Sequence, residues 1–81
     1  MLKDVDLTKM KGRIQFVEHF ADFDVEITDI IPDLKVKIVE HFPNEPGKWK
    51  IVSSAPDIKL KIVENFGDFK IQFVEYSYGI R

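Results

Sequence analysis

The chain alternates apolar and polar residues in short stretches that turn-forming residues separate. Leu34, Val36 and Ile38 alternate with Lys35 and Lys37. A period of two places the apolar side chains on one face of a β-strand and the lysines on the other. Val, Ile and Phe fill most of the apolar positions, and these residues suit a pleated, half-buried surface. The pattern therefore predicts short strands and no long helix.

The alternating stretch recurs as a strand-turn repeat of about eleven residues, with one step of thirteen that contains the insertion at residues 44–47. Prolines fall between the stretches, where a missing N–H removes no ladder hydrogen bond. This periodicity predicts a single all-β domain of six strand-turn repeats. The copies begin at Ile14, Val25, Val36, Trp49, Leu60 and Ile71.

A second period of about 22 residues lies over the first. The turns of the odd copies carry Phe20, Phe42 and Phe66, and the even turns carry other residues, such as Ala55. The repeating unit is therefore two strands with two kinds of turn. We expect the three Phe side chains to form a buried ladder at one end of the molecule, so Phe42→Ala should cost ~3–5 kcal/mol.

Three architectures fit this pattern: a chain wound through itself, a two-faced parallel β-solenoid, and a six-stranded antiparallel sandwich or barrel. Tight two-residue hairpins need Gly or Asn at positive backbone angles. Most turns here place Phe, Leu or Ile after the Asp instead. The turn composition therefore favours a wound chain over a meander of hairpins.

The repeat resembles a known family. The lengthened middle copy ends in Gly-Lys-Trp at residues 47–49. Copies end in motifs of the type Val-Glu-x-Phe-Pro-Asp. Over residues 12–81 these features resemble the small bacterial all-β proteins called Septknot. The resemblance implies a chain that forms a seven-crossing torus knot, although folded chains are almost never knotted. It implies no functional residues.

The sequence divides into two segments. Residues 1–12 lack the repeat and are rich in Lys and Asp. They are predicted to be an irregular or flexible leader, and deletion of residues 1–11 is expected to leave the melting temperature nearly unchanged. Residues 13–81 are predicted to form the all-β repeat domain.

Composition narrows the function classes. The 81 residues include no cysteine, so thiol chemistry and disulfides are excluded. The net charge of -2 is spread along the chain and does not indicate a nucleic-acid partner. No apolar run approaches the ~20 residues of a membrane span. We expect a cytoplasmic monomer without a cofactor, whose partner the sequence does not indicate.

His19 and His41 are the candidate metal ligands, because each follows a Glu at the same position of an odd copy. Together with Glu18 and Glu40 they would make a small metal-binding or hydrolytic site. Asn65 replaces a third His, and no Cys supplements the set. We therefore predict exposed turn histidines and no metal site.

The remaining charged residues follow the repeat, whereas a catalytic site should interrupt it. We expect Glu–Lys pairs between strands and a solvated polar face. No catalytic residue is predicted, and the expected function is that of a robust non-enzymatic structural or interaction module. The recurring acids are Glu18, Asp29, Glu40, Glu64 and Glu75, and the recurring lysines are Lys35, Lys37, Lys59, Lys61 and Lys70.

Overall fold

The computed structural model describes residues 5–80 and shows a closed barrel of six parallel strands with a short seventh strand beside it. A 3-10 turn at Leu7–Lys9 precedes the barrel. The predicted all-β class and the six strand-turn repeats are confirmed, because each copy opens within a strand. The strands are β1 (Gly12–Phe16), β2 (Phe23–Ile27), β3 (Leu34–Ile38), β4 (Lys48–Ile51), β5 (Ile58–Ile62), β6 (Phe69–Phe73) and β7 (Gly79–Ile80).

The chain completes one circuit of the barrel with β1–β4 and begins a second with β5 and β6, which is interleaved with the first. The order around the barrel is β1, β5, β2, β6, β3, β4 and back to β1, so β5 and β6 fill the gaps between the first three strands. All six barrel pairings are parallel, and β7 pairs antiparallel with β3. The parallel pairings exclude the antiparallel sandwich or barrel and agree with a wound chain.

The strands are staggered, so each pairs with a different neighbour at each end. In β1, Gly12 to Ile14 lie opposite β4, and Ile14 to Phe16 lie opposite β5. The middle residue of β2, β5 and β6 is shared between two pairings in the same way. A stagger of this kind is what closes a small sheet into a barrel.

The core is a ring formed by the first residue of every repeat. All six of these residues are fully buried, each contributing roughly 1.5–3 kcal/mol through burial. The Trp49 indole N–H donates to the Met10 carbonyl oxygen at 2.9 Å, which satisfies the one polar group of that side chain. The buried apolar residues are Met10, Ile14, Val25, Leu34, Val36, Trp49, Leu60, Phe69 and Ile71.

Four of the connections between strands are each fastened by an aspartate to the strand that they cross. The Asp22 N–H donates to the Lys59 carbonyl at 2.8 Å, and the Lys59 N–H donates to the Asp22 carboxylate at 2.9 Å. A reciprocal pair of this kind satisfies a donor and an acceptor on the outer side of the strand. The same two bonds join Asp33 to Lys70, Asp57 to Arg13 and Asp68 to Asp24.

The segment before β1 packs on the amino end of the barrel. Met10 is 3% exposed, and Val5 and Leu7 pack against the core. Residues 5–11 contain the 3-10 turn and contact the core, and β1 begins at Gly12, the last residue of the predicted leader. The packing of Met10 argues against deletion of this part without loss of stability. Residues 1–4 lie outside the described residues.

The insertion between β3 and β4 contacts residues near both ends of the described chain. The Gly47 N–H donates to the Met10 carbonyl at 3.1 Å. A Cβ at Gly47 would lie 2.5 Å from the Lys35 carbonyl oxygen and 2.8 Å from the Gly79 nitrogen. Because φ is +89° at Gly47, both the backbone angle and the crowding require glycine there. The extra residues thus hold β7 beside β3.

Candidate interaction surface

Every crossover turn has one non-glycine residue in the left-handed backbone region. The φ angles lie between 50° and 62°, at Phe20, Ile31, Phe42, Ala55, Phe66 and Ser77. This conformation costs of order 1–3 kcal/mol for residues with a Cβ, and bulky or branched side chains are the least suited to it. Gly or Asn would be the favourable choice at all six positions.

The three Phe residues at these strained positions are almost fully exposed. Phe20 is 93% exposed, Phe66 is 83% exposed and Phe42 is 78% exposed. The predicted buried ladder is therefore wrong, because the left-handed residue turns its side chain away from the barrel. An exposed aromatic ring at a strained backbone position contributes little to the fold. Its presence in three turns is a candidate functional feature.

Three of the strained turns lie side by side on the barrel. The Val17 N–H donates to the Leu60 carbonyl at 2.8 Å, so the turn that carries Phe20 crosses β5. The turn that carries Phe66 crosses β2, and the turn that carries Ile31 crosses β6, by equivalent bonds. Because β5, β2 and β6 are neighbours, we call Phe20, Phe66 and Ile31 the apolar arc.

The other turns differ from the apolar arc. The turn that crosses β1 has Ala55 at the strained position, and the turn that crosses β3 has Ser77. Phe42 lies in the longer connection between β3 and β4, away from the arc. Three of the four large apolar tips thus lie on one side of the barrel, an arrangement that suits a binding surface.

A second exposed apolar feature lies at the carboxyl end of the barrel. The last residue of each barrel strand faces the same way as the buried ring but is only half covered. We call these six residues the carboxyl-end ring, and five of them are 42–48% exposed. Because all six strands are parallel, these side chains meet at one end. They are Phe16, Ile27, Ile38, Ile51, Ile62 and Phe73.

Three clefts of similar chemistry surround the carboxyl-end ring. The first cleft has a volume of about 520 Å³ and is lined by residues 16–19 and 61–62. The second has about 340 Å³ and is lined by residues 38–41 and 50–51. The third has about 480 Å³ and is lined by residues 36–38 and 73–76. Each cleft combines apolar ring residues with one acid and one lysine. The pairs are Glu18 with Lys61, Glu40 with Lys50, and Glu75 with Lys37.

A wider cleft of about 940 Å³ lies at the amino end and includes Asp6, Asp22 and Asp57 in its lining. These carboxylates already accept backbone hydrogen bonds. The pKa of Asp57 is lowered below its usual value, mainly by the hydrogen bond from the Arg13 backbone N–H and to a smaller extent by the Arg13 guanidinium. Hydrogen bonds from Thr8 lower the pKa of Asp6. The acids of this cleft therefore hold parts of the backbone in place.

The two histidines are exposed in separate turns, after β1 and after β3. Each ring lies near the following Phe ring, with centroids 6.5 Å apart for His19 and Phe20 and 6.4 Å apart for His41 and Phe42. Strands β1 and β3 are not neighbours in the barrel. Among residues 5–80, no group of three or more His, Asp or Glu residues is arranged to hold a metal ion.

The last two tyrosines have different roles. Tyr76 is exposed, whereas the Tyr78 hydroxyl donates to the Glu45 carboxylate of the insertion. The Lys48 ammonium lies 3.4 Å from the Glu45 carboxylate and 5.3 Å from the centre of the Tyr78 ring. Hydrogen bonds from Tyr78 and then Lys48 lower the pKa of Glu45. This cluster fixes the end of the chain to the insertion.

Sequence reasoning missed two groups of important residues. The fastening aspartates recur one residue before β2, β3, β5 and β6, and that spacing alone could have identified them. The strained turn position was also visible, as the seventh residue of each repeat. It could not be recognised from residue type, because the chain places Phe, Ile, Ala and Ser where Gly or Asn is normal.

Comparison with known families gives a match over nearly the whole described chain. A family model described as the 7(1) septoil knot domain matches residues 7–81. No match is found among curated proteins. No helix in residues 5–80 has the length and apolar character needed to cross a membrane. The interleaved parallel winding agrees with the resemblance drawn from the repeat, and the chain belongs to the septoil knot domain family.

Proposed function

We propose that this protein is a non-enzymatic interaction module that binds a protein partner through the apolar arc. One observation carries the proposal: Phe20 and Phe66 are exposed at backbone angles that disfavour them. Such a residue lowers the stability of the free protein and buries little surface there. Its side chain can become buried, and so contribute favourable free energy, when a partner binds. Exposed aromatic anchors of this kind supply most of the binding energy in many interfaces.

The supporting geometry is a rigid presentation of the three tips. Each tip stands on a turn whose two ends are hydrogen-bonded to the strand that it crosses. Fixed anchors lose little conformational entropy when they bind. A partner suited to this surface offers apolar pockets for two aromatic rings and one branched aliphatic side chain, spaced by the separation of neighbouring strands.

The test separates binding from stability by replacing the arc residues with the residue that their backbone prefers. In Phe20→Gly/Phe66→Gly the backbone strain is relieved, so the stability should be unchanged or raised by up to about 1 kcal/mol. Binding should fall by at least about tenfold, because two anchors are lost. Ala55→Gly is the matched control, since it relieves the same strain and removes no anchor.

Affinity capture from cells with the wild type, the double variant and Ala55→Gly identifies the partner, and titration of the purified partner measures the loss. The proposal predicts a protein that the wild type and Ala55→Gly retain and the double variant does not. If no captured protein distinguishes the double variant from the control, the apolar arc is not a binding surface.

A further inference from the structure

The half of the barrel that carries the apolar arc is strongly acidic. It consists of the neighbouring strands β5, β2 and β6 and the three turns that cross them, within residues 17–33 and 58–73. These residues include eight acids and three lysines, a formal charge of -5, whereas the whole chain has a charge of -2. We infer, on the basis of the function proposed above, that the protein which binds the apolar arc presents Arg and Lys side chains around its apolar pockets.

Each tip of the apolar arc has an acid two residues earlier in the same turn. All three of these acids are exposed. Among residues 5–80, none of the three forms an ion pair with Lys or Arg. Their charges are therefore available to a partner that covers the tips. The acids are Glu18, Asp29 and Glu64, which precede Phe20, Ile31 and Phe66.

Other acids of this half have a structural role and remain charged. Asp33 accepts a hydrogen bond from the Lys70 backbone N–H at 2.9 Å. The Glu26 carboxylate accepts one from the Gly67 N–H at 3.0 Å. A backbone N–H carries no formal charge, so a bond of this kind orients an ionised carboxylate and leaves its negative charge in place. These acids thus add to the negative potential around the arc.

The opposite half of the barrel has the opposite charge. Strands β1, β3 and β4 contain five basic residues and no acid. This separation of charge draws a basic partner towards the arc and away from the other half. It also disfavours nucleic acids and anionic membranes at the arc, because both carry negative charge. The basic residues are Arg13, Lys35, Lys37, Lys48 and Lys50.

The combination of an exposed aromatic ring and a carboxylate in one turn suits arginine in particular. A guanidinium stacks on the face of an aromatic ring and also pairs with a carboxylate. The turns of Phe20 and Phe66 offer both features, and the turn of Ile31 offers an acid beside an aliphatic tip. Rim charges of this kind contribute mainly to partner choice and association rate, while the apolar tips supply the buried contact.

Amide NMR titrations of the full chain with three synthetic helical peptides test this inference. The peptides share one face of leucines, and their other residues are all Arg, all Gln or all Glu. The Arg peptide should shift the amides of the three arc turns and bind at least about tenfold more tightly than the Gln peptide at low salt. The Glu peptide should shift none of them. Raising the salt to about 0.5 M should remove most of the difference between the Arg and Gln peptides.

A charge variant locates the effect. Glu18→Gln/Glu64→Gln removes two acids beside the arc and keeps both aromatic rings, so it should weaken binding of the Arg peptide by about fivefold or more. Binding of the Gln peptide should not change. The matched control is Glu40→Gln/Glu75→Gln, which makes the same substitutions at the same repeat position in turns outside the arc. It should bind the Arg peptide like the wild type.

The variant Phe20→Gly/Phe66→Gly distinguishes failure of this inference from failure of the proposed function. If the wild type binds the Gln and Arg peptides equally and this variant binds neither, the arc is a binding surface without a preference for basic partners. If the variant binds the Arg peptide like the wild type, charge alone holds the peptide and the arc proposal fails as well. No binding of the Arg peptide, shifts outside the arc turns, or an equal loss in the Glu40→Gln/Glu75→Gln control would each overturn the inference.

Discussion

The two ends of the barrel are built from one repeat, yet only one of them is closed. At the amino end Met10 is 3% exposed and, with Phe69 and Leu34, completes the core. At the carboxyl end residues of the same type, such as Ile27, remain half exposed. The cap at the amino end comes from the segment before β1, and the crossovers leave the ring at the other end half exposed. Coverage of the barrel ends is therefore decided outside the repeat.

The loss of the amino-end cap should have a large effect on stability. Met10→Ala removes a buried side chain next to Trp49 and should lower the free energy of unfolding by about 3 kcal/mol, within the range for large core truncations. Urea denaturation followed by Trp49 fluorescence measures the change, since the Trp49 indole is hydrogen-bonded to the Met10 carbonyl.

The matched control lies at the other end. Ile27→Ala removes a similar volume from a half-exposed position. It should lower the free energy of unfolding by only about 1 kcal/mol, because the Ile27 side chain buries less apolar surface on folding. Equal losses at Met10 and Ile27 would mean that the two ends are equally packed. In that case the comparison between them would not hold.

The contrast between the ends shows how far the sequence determined the fold. The period of two and the eleven-residue repeat correctly located all six strands, and the first residue of every copy is in the buried ring. Parallel pairing between copies three or four apart could not be predicted from the repeat. Equivalent residues such as Ile14, Leu60 and Val25 are all apolar, so the sequence does not indicate which strands are neighbours. The cap was missed because Val5, Leu7 and Met10 show no strand periodicity.

Among the fastening aspartates, Asp57 gives the amino end a contribution to stability that depends on pH. The Arg13 N–H holds the pKa of Asp57 below its usual value of 3.8. A carboxyl with a lowered folded-state pKa stabilises the protein above its unfolded pKa, and that contribution is lost as the pH falls through the folded value. Asp57→Asn should therefore cost about 1 kcal/mol at neutral pH, less than the roughly 1.5–3 kcal/mol of a hydrogen bond to a charged group, because water screens this exposed site.

The difference between the wild type and Asp57→Asn should be constant from neutral pH to about pH 5. It should shrink below about pH 4, because the carboxyl is protonated first in the unfolded chain and only at lower pH in the folded protein. Chemical denaturation at a series of pH values measures it. Asp29→Asn, in an exposed turn, is the control for a general change of charge. A gap that persists at low pH would assign the effect of Asp57 to packing.

The candidate site was harder to predict than the fold, and the reason is physical. The sequence marks Phe20, Phe42 and Phe66 as apolar and periodic, which usually indicates a core. Burial depends on the direction of the side chain, and the left-handed turn reverses that direction at these positions. The metal hypothesis for His19 and His41 assumed that odd turns stack, whereas the winding separates β1 from β3 in the barrel.

The smallest expected effect is at Phe42, in the turn after β3. Phe42→Ala should change the free energy of unfolding by less than about 0.5 kcal/mol, because the side chain is 78% exposed and its truncation leaves no cavity. Phe69→Ala removes the same side chain from the amino end of the core and should cost ~3–5 kcal/mol. The two variants differ only in position, so denaturation under identical conditions compares them directly. A large loss at Phe42 would mean that its ring packs on the barrel in solution, so the exposed turn would then contribute to the core as the amino-end segment does.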